Sequence, residues 1–389
     1  MLTKFEELCK NLYIDSSTPS DESLSKLIHW CETTVSTDRH FEGELQECFA
    51  SYKELASDFL ENIQPNVLAN KLTTPVPAFK DLTPLQFIAY NGLDIYLKKL
   101  NPSREQINNE ANYTLLQLAA VRGNLHMTED LLSLGANPQG KSPNGNSILF
   151  DTLTLPVVYD EKMKQNKQAI YLLLSEHFKT ILEERNESGD SILHIMCIFG
   201  YKKLVEGMLA QVKQLAFVPN NLMHFPIHSA VLNGQHDCVK LLLAVDGVGQ
   251  LTDAEGRNAL HYAAQYGDQN MVKICLSSIS PNSLSTQDQT PLILAAATNN
   301  MAAMQELISS HAQVNITDNN HRSALHYAVE LNNPDAVKLL LTAPDIDVNI
   351  GDYESHNPLD LVQEHTPKGD EIRELLIAKG ASKTSKFEI

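Results

Sequence analysis

Four histidines recur at equivalent places along the sequence, and they are the first residues whose type and spacing suggest chemistry. They are His194, His228, His261 and His326. A row of imidazoles can bind zinc when further ligands complete the coordination shell. The sequence contains neither an H-E-x-x-H motif nor paired C-x-x-C motifs, so we predict no metal site.

A second group near the N-terminus combines thiols with imidazoles: His29, Cys31, His40 and Cys48. A thiol beside an imidazole can act as a nucleophile. Cys31, however, lies on an apolar helical stripe, and thiols buried in apolar surroundings are inert. The sequence also lacks a Gly-rich phosphate loop, a G-x-S-x-G elbow and a kinase signature. We therefore predict a protein that is not an enzyme and holds no cofactor.

Charge and composition exclude several classes of partner. The chain has 48 acidic and 30 basic residues, which gives a formal net charge of −18. Nucleic-acid binding needs clustered Lys and Arg, and no such stripe is present. No apolar run is long enough to span a membrane, and the first ten residues do not look like a secretory signal. Six cysteines without C-x-x-C pairing are typical of reduced thiols, so we expect a reducing cytosol. We also expect a monomer with no nucleic-acid or membrane partner.

The histidines belong to a motif that repeats along the chain. The segment NALHYAA at 258–264 recurs as SALHYAV at 323–329, and TPLILAA at 290–296 lies between them. Further copies give starting positions at 83, 114, 147, 191, 225, 258, 290, 323 and 357. Seven of the eight steps are 31 to 34 residues long, and one is 44. A fixed period of this length is typical of stacked repeats.

Each copy has the pattern of a turn, a helix, a turn and a second helix. In the copy at 258, the segment DAEG at 253–256 has turn chemistry and Asn258 can cap a short helix. Leu260, Ala263 and Ala264 would face inward, and an apolar stripe beginning at Met271 forms the second helix. No single unit can bury its apolar faces, so the units must stack.

This pattern resembles the ankyrin-repeat family, whose signature is T-P-L-H-x-A at a period of 33 residues. The resemblance covers residues 79–385 in about nine repeats and implies an all-α ankyrin-repeat solenoid. In this family the motif histidine joins a hydrogen-bond network between helix and turn, which favours a structural role for it. The longer step is interpreted as an insertion near 154–167, between two helices, that is either a tolerated loop or a partner contact.

Residues 1–78 lack the period and are predicted to form three helices. Two interpretations remain open for them. They form either a small helical cap or bundle on the first repeat, or a separate recruiting or catalytic domain.

The resemblance implies binding of a partner protein through the concave face of the solenoid. Alternatives are an enzyme or recruiting factor whose N-terminal domain acts on a target held by the repeats, and a self-associating scaffold. The family's variable positions give the predicted partner-binding residues: Ile198, Phe199, Tyr201, Leu222, Met223, His224, Leu232, Asn233, Glu255, Arg257, Gln265, Tyr266, His321, Arg322, Glu330 and Leu331. Whether Phe199 and Leu222 bind a partner or pack inward stays open.

Two further expectations come from the resemblance. Some ankyrin repeats are substrates of an asparaginyl hydroxylase that prefers a leucine eight residues before the target, an acid two before it and an aliphatic residue just before it. Leu341, Asp347 and Val348 fit this spacing for Asn349. The irregular repeats also look like those of ankyrin effectors that intracellular bacteria deliver into host cells, which would place the protein in the host cytosol.

Overall fold

The computed structural model describes residues 102–108, 113–142, 145–154, 161–177 and 184–383, with scattered positions between 86 and 98. The chain forms two compact units, Met1–Phe178 and Lys179–Ile389. The predicted helices of 1–78 and the thiol and imidazole group within them lie outside the described residues.

The described part of the first unit is helical. Its helices are α1 (Arg104–Ile107), α2 (Leu115–Val121), α3 (Leu125–Ser133), α4 (Ile148–Thr154) and α5 (Glu161–Ser175). Helix α2 packs against α3 and α4, and α5 packs against α3 and α4. The first helices α2 and α4 start directly after the predicted motif positions 114 and 147, as the repeat pattern requires.

The insertion near 154–167 differs from its prediction. Residues 161–167 are not a loop, because they form the first turns of α5, which has 15 residues. This segment is rich in Glu, Lys and Gln, which favour helix. Lys167 is buried, and Asn166 Nδ2 donates to the Gly123 carbonyl at 3.0 Å, so the added turns pack against the preceding repeat.

The second unit is a solenoid of stacked helix pairs. Its helices are α6 (Ile192–Ile198), α7 (Lys202–Gln211), α8 (Pro226–Leu232), α9 (His236–Leu243), α10 (Ala259–Tyr266), α11 (Gln269–Leu276), α12 (Pro291–Ala297), α13 (Met301–Ser309), α14 (Ala324–Glu330), α15 (Pro334–Leu340) and α16 (Pro367–Ala378). Short 3₁₀ helices lie at Lys213–Phe217, Val248–Gln250 and Pro358–Leu361, and the last of them replaces the first helix of the final repeat.

Sequence chemistry explains where the first helices begin. Ser191, Asn258, Thr290 and Ser323 are the N-cap residues of α6, α10, α12 and α14, each at a predicted motif start. The Thr290 side chain, for example, accepts a hydrogen bond from the Ile293 N–H at 3.2 Å. A capping side chain satisfies backbone donors that the helix cannot, so the motif fixes the helix starts.

The core of the second unit lies between successive repeats. The first helices α6, α8, α10, α12 and α14 pack in sequence, and the second helices pack behind them. Buried alanines such as Ala263 and Ala295 allow the close approach. The described residues contain isolated β-bridges and no longer strand, so the prediction of an all-α fold is confirmed. Cys197, Cys238 and Cys275 are buried in this core and form no disulfide.

Candidate partner-binding surface

The turns that precede the first helices of the second unit share one construction. We call them fingers and define them by residues 186–190, 220–224, 253–257, 285–289, 318–322 and 352–356. In the finger 253–257, Asp253 Oδ1 accepts hydrogen bonds from the N–H groups of Glu255 at 2.9 Å and Arg257 at 2.8 Å. Asn220, Ser285, Asp318 and Asp352 accept the equivalent bonds in their own fingers. Each finger is therefore a rigid turn that presents its tip residues.

Three of the four motif histidines join a helix to the next finger. His261 Nδ1 accepts the N–H of Asn258 at 3.1 Å, and its Nε2 donates to the Gln289 carbonyl at 3.0 Å. His194 and His326 make the same pair of bonds. Burial lowers the pKa of His261 to about 4, so the ring is neutral at neutral pH. The geometry is that of a structural network, and no metal-binding group of three residues occurs within the described part of the chain.

His228 is the exception among these histidines. Its Nδ1 accepts the N–H of Phe225 at 3.1 Å, but its buried Nε2 has no hydrogen-bond partner. Burial and the nearby His224 lower the pKa of His228 to about 4, against the opposing effects of Asp253 and of the Arg257 backbone. A buried N–H without a well-placed acceptor costs folding free energy. The neighbouring fingers 220–224 and 253–257 therefore differ from the other pairs.

A polar cluster lies beside His228. The Tyr262 hydroxyl donates to Asp253 Oδ2 at 2.5 Å and accepts from Arg257 Nη2 at 3.0 Å. His224 Nε2 lies 2.9 Å from the same hydroxyl, so it is the donor of that bond. Burial raises the pKa of Asp253, but the hydrogen bonds from Tyr262 and Arg257 outweigh this and lower its pKa overall. The Asp253 carboxylate stays charged and holds Arg257 in place.

Some predicted partner-binding residues are exposed apolar side chains. Leu222 is 68% exposed at a finger tip, and Tyr266 is 62% exposed at the end of α10. Met223 and Leu232 are also exposed. Leu222 and Met223 lie in one finger, and Leu232 and Tyr266 are the last residues of two neighbouring first helices. Exposed large apolar side chains are typical of interaction surfaces. These four residues are called the apolar patch.

Other predicted residues are less available. Tyr201 is only 4% exposed, and as the N-cap of α7 it packs in the core, so it is not part of the surface. Ile198, Phe199, His224 and Gln265 are half-buried.

Arg322 and Glu330 form an ion pair at 2.9 Å, and Arg257 pairs with Glu255 at 3.0 Å. Both predicted arginines are thus bound by the chain's own acids. Asn233, His321 and Leu331 are exposed.

One exposed residue was missed by sequence reasoning. Tyr353, in the last finger, is 80% exposed, and its ring meets that of His321 edge-on at 6.2 Å. The finger position equivalent to Tyr353 is Asn319 in the preceding repeat. The aromatic residue at this finger position could have indicated, from the sequence alone, that Tyr353 belongs to the candidate surface.

The predicted modification site has a defined structural role. Asn349 Nδ2 donates to the Gly380 carbonyl at 3.1 Å, and Asn349 Oδ1 accepts the Ser382 N–H at 3.0 Å. Leu341 and Val348 are buried, and Asp347 is exposed. Hydroxylation of Asn349 stays a prediction, and it would act on a side chain that joins two neighbouring loops.

No helix within the described residues has the length and apolar character needed to cross a membrane.

Comparison with known proteins locates the repeats. Residues 206–285 and 275–352 match the family model described as ankyrin repeats (3 copies). The chain is 27% identical over 185 residues to the nuclear factor NF-kappa-B p105 subunit of Gallus gallus, covering 45% of this chain and 19% of that protein. It is 28% identical over 199 residues to inversin of Mus musculus, covering 48% and 18%.

A third relative is neurogenic locus notch homolog protein 1 of Homo sapiens, which is 34% identical over 117 residues and covers 30% of this chain and 5% of that protein. The chain therefore spans less than a fifth of the length of these relatives. Among solved structures, the ankyrin repeat domain of Bcl-3 aligns with a TM-score of 0.46 and 26% identity, covering 50% of this chain and 89% of that domain.

Proposed function

Since this chain contains ankyrin repeats, matched at 206–285 and 275–352, we propose that it binds a partner protein through the fingers and first-helix ends of its second unit. A repeat array presents side chains from several independent turns on one rigid frame. The fingers here are braced by their own side-chain hydrogen bonds, so their tips are preorganised for binding. Preorganised surfaces lose less entropy on association.

The observation that carries the proposal is the apolar patch of Leu222, Met223, Leu232 and Tyr266. A surface facing only water would carry polar groups, whereas interface hot spots are enriched in aromatic residues. The exposure of Leu222 supports binding over inward packing. Phe199 is half-buried, so part of its side chain is open to solvent.

Charge supports a protein partner over a nucleic acid. Arg257 and Arg322 are already bound by Asp253, Glu255 and Glu330, so they offer no free cationic stripe to phosphates. A partner that carries apolar side chains with a polar rim fits this surface.

The test captures a partner with the intact chain and then measures its affinity. We expect Phe199→Ala together with Tyr266→Ala to weaken binding by at least about 2 kcal/mol, roughly thirtyfold, because hot-spot aromatics contribute this much. The melting temperature should hardly change.

The matched control is Ile377→Ala, which removes an exposed apolar side chain from α16, away from the fingers. It should leave affinity unchanged. A large fall in melting temperature with unaltered affinity of the folded fraction would show that Phe199 and Tyr266 are core residues and would contradict the proposal.

Three finer expectations belong to the same proposal. Residues 1–78 are proposed as a cap, with an enzyme or recruiting domain as the alternative; loss of a downstream effect in Cys31→Ala and His29→Ala, with binding kept, would favour the alternative. The irregular repeat steps support an effector delivered into the host cytosol, and a translocation assay on a reporter fusion tests this. Mass spectrometry after coexpression with the hydroxylase tests Asn349.

A further inference from the structure

Neighbouring fingers of the second unit are joined by a backbone hydrogen bond at a constant position. The bonds run from Asn221 N to Ser188 O at 3.1 Å, from Thr286 N to Glu255 O at 2.9 Å, from Asn319 N to Gln287 O at 3.0 Å and from Tyr353 N to Asn320 O at 2.9 Å. Three of these donor residues add a side-chain bond to the same neighbour: Asn221, Thr286 and Asn319. Each bond ties one repeat to the next at the finger level.

The link is missing at one place in the described fingers. Between the fingers 220–224 and 253–257, the equivalent donor is Ala254 N and the equivalent acceptor is Leu222 O, and they are not bonded. Ala254 has no side-chain group that could replace the bond. The histidine link is weaker here as well, because His228 Nε2 makes no hydrogen bond of normal geometry, although the Arg257 backbone beside it raises the pKa of the ring, whereas His194 and His261 bond to the next finger.

A different contact spans this pair of fingers. His224 Nε2 donates to the Tyr262 hydroxyl at 2.9 Å, and the two rings meet edge-on at 5.4 Å between centroids. Tyr262 is in turn held by Asp253 and Arg257. Behind the fingers, α8 packs against α10, and His236 binds Asp268 at 2.9 Å. The helices are therefore joined as in the rest of the unit, while a side-chain bond takes the place of the backbone bond between these two fingers.

We propose that the finger pair 220–224 and 253–257 is a hinge in the repeat array, and that the bond between His224 and Tyr262 is its latch. When the latch opens, the fingers part while α8 and α10 stay packed. Leu222 and Met223 lie on one side of the hinge and Tyr266 on the other, so opening changes their spacing. The inference rests on hydrogen bonds within the chain and does not depend on the proposed partner binding.

Hydrogen exchange of the full-length chain, read by mass spectrometry, tests the hinge. Finger amides such as Asp253 N and Gly256 N are bonded within their own finger and exchange when that finger opens. We expect the wild-type fingers 220–224 and 253–257 to exchange faster than the fingers 285–289 and 318–322, which share a backbone bond.

Variants with matched controls identify the latch. Tyr262→Phe removes the latch together with the bonds to Asp253 and Arg257, so it should raise exchange in both hinge fingers by at least about fivefold to tenfold, the effect of one net hydrogen bond. The control Tyr327→Phe removes the equivalent bond to Asp318, which does not link two fingers, so neighbouring fingers should keep their rates. His224→Leu removes the latch and keeps the Asp253 pairing; if Tyr262→Phe fails to fold, this variant decides. Equal exchange in all fingers, or a His224→Leu variant that exchanges like wild type, would overturn the proposal.

Discussion

Two repeats of the second unit carry the same motif, D-x-x-x-R-x-A-L-H-Y, at 253–262 and 318–327. The tyrosine and histidine bonds are the same in both, although Arg257 bonds to Asp253 and Tyr262 whereas Arg322 pairs with Glu330. The tyrosine hydroxyl donates to the aspartate at 2.5 Å in the first repeat and 2.6 Å in the second, and each histidine reaches the following finger. The motif therefore determines the structure within one repeat.

The two repeats differ in how they meet the preceding finger. Asn319 bonds to the finger 285–289 through both its backbone and its side chain. Ala254 bonds to nothing in the finger 220–224, and His224 reaches Tyr262 instead. The comparison teaches that the residues outside the motif decide how tightly two repeats are joined.

Acid should produce the largest effect on stability. Burial lowers the pKa of His228 and His261 from 6.5 to about 4. Between these two pH values the rings are protonated in the unfolded chain and neutral in the folded chain, so acid favours unfolding. Stability is complete above pH 6.5 and is lost as the pH falls towards 4. The difference between the unfolded and folded pKa values corresponds to about 3 kcal/mol of unfolding free energy for each histidine.

Urea unfolding between pH 7 and pH 4.5 measures this loss. Asp253, whose pKa is lowered, loses its contribution only below its unfolded pKa of 3.8, outside this range. His228→Gln should make the fall in unfolding free energy between pH 7 and pH 4.5 smaller by the contribution of one histidine. An unfolding free energy that stays flat over the range would contradict the burial of these rings.

Replacing each of these two histidines by alanine should destabilise the protein by different amounts, because only His261 bonds to the next finger. His261→Ala removes a ring of equal size to that of His228→Ala, but it also leaves the Gln289 carbonyl without its donor. We expect His261→Ala to cost about 3 kcal/mol and His228→Ala about 1 kcal/mol less, since His228 Nε2 makes no hydrogen bond of normal geometry. Equal losses in denaturant unfolding would mean that His228 Nε2 is bonded in solution.

Much of the fold follows from the sequence for a physical reason. Cap residues such as Thr290 and Ser323 act within one helical turn, so a local motif predicts the helix starts. The exposure of Tyr266 agrees with its place relative to the motif, whereas the sequence left open whether Leu222 is exposed or packs inward.

The errors have equally physical causes. Residues 161–167 have no counterpart in other repeats, so the repeat period could not predict their conformation. Their helix-favouring composition agrees with the helix that they form. Tyr201 lies at the N-cap position of α7, and its side chain is buried there. The gap at Ala254 involves residues some thirty positions apart, which no local pattern reports.

The smallest expected effect comes from adding the missing link. In Ala254→Asn, the new Nδ2 can donate to the Asn221 carbonyl, as Asn319 Nδ2 donates to the Thr286 carbonyl at 3.3 Å. One exposed hydrogen bond should raise the unfolding free energy by about 0.5 kcal/mol, measured as a shift in the denaturant midpoint. Asn319→Ala is the matched loss and should lower it by a similar amount. If Asn319→Ala destabilises the protein and Ala254→Asn gains nothing, the fingers 220–224 and 253–257 are held apart by their backbones, and the absence of a side chain at 254 is a consequence of the gap and not its cause.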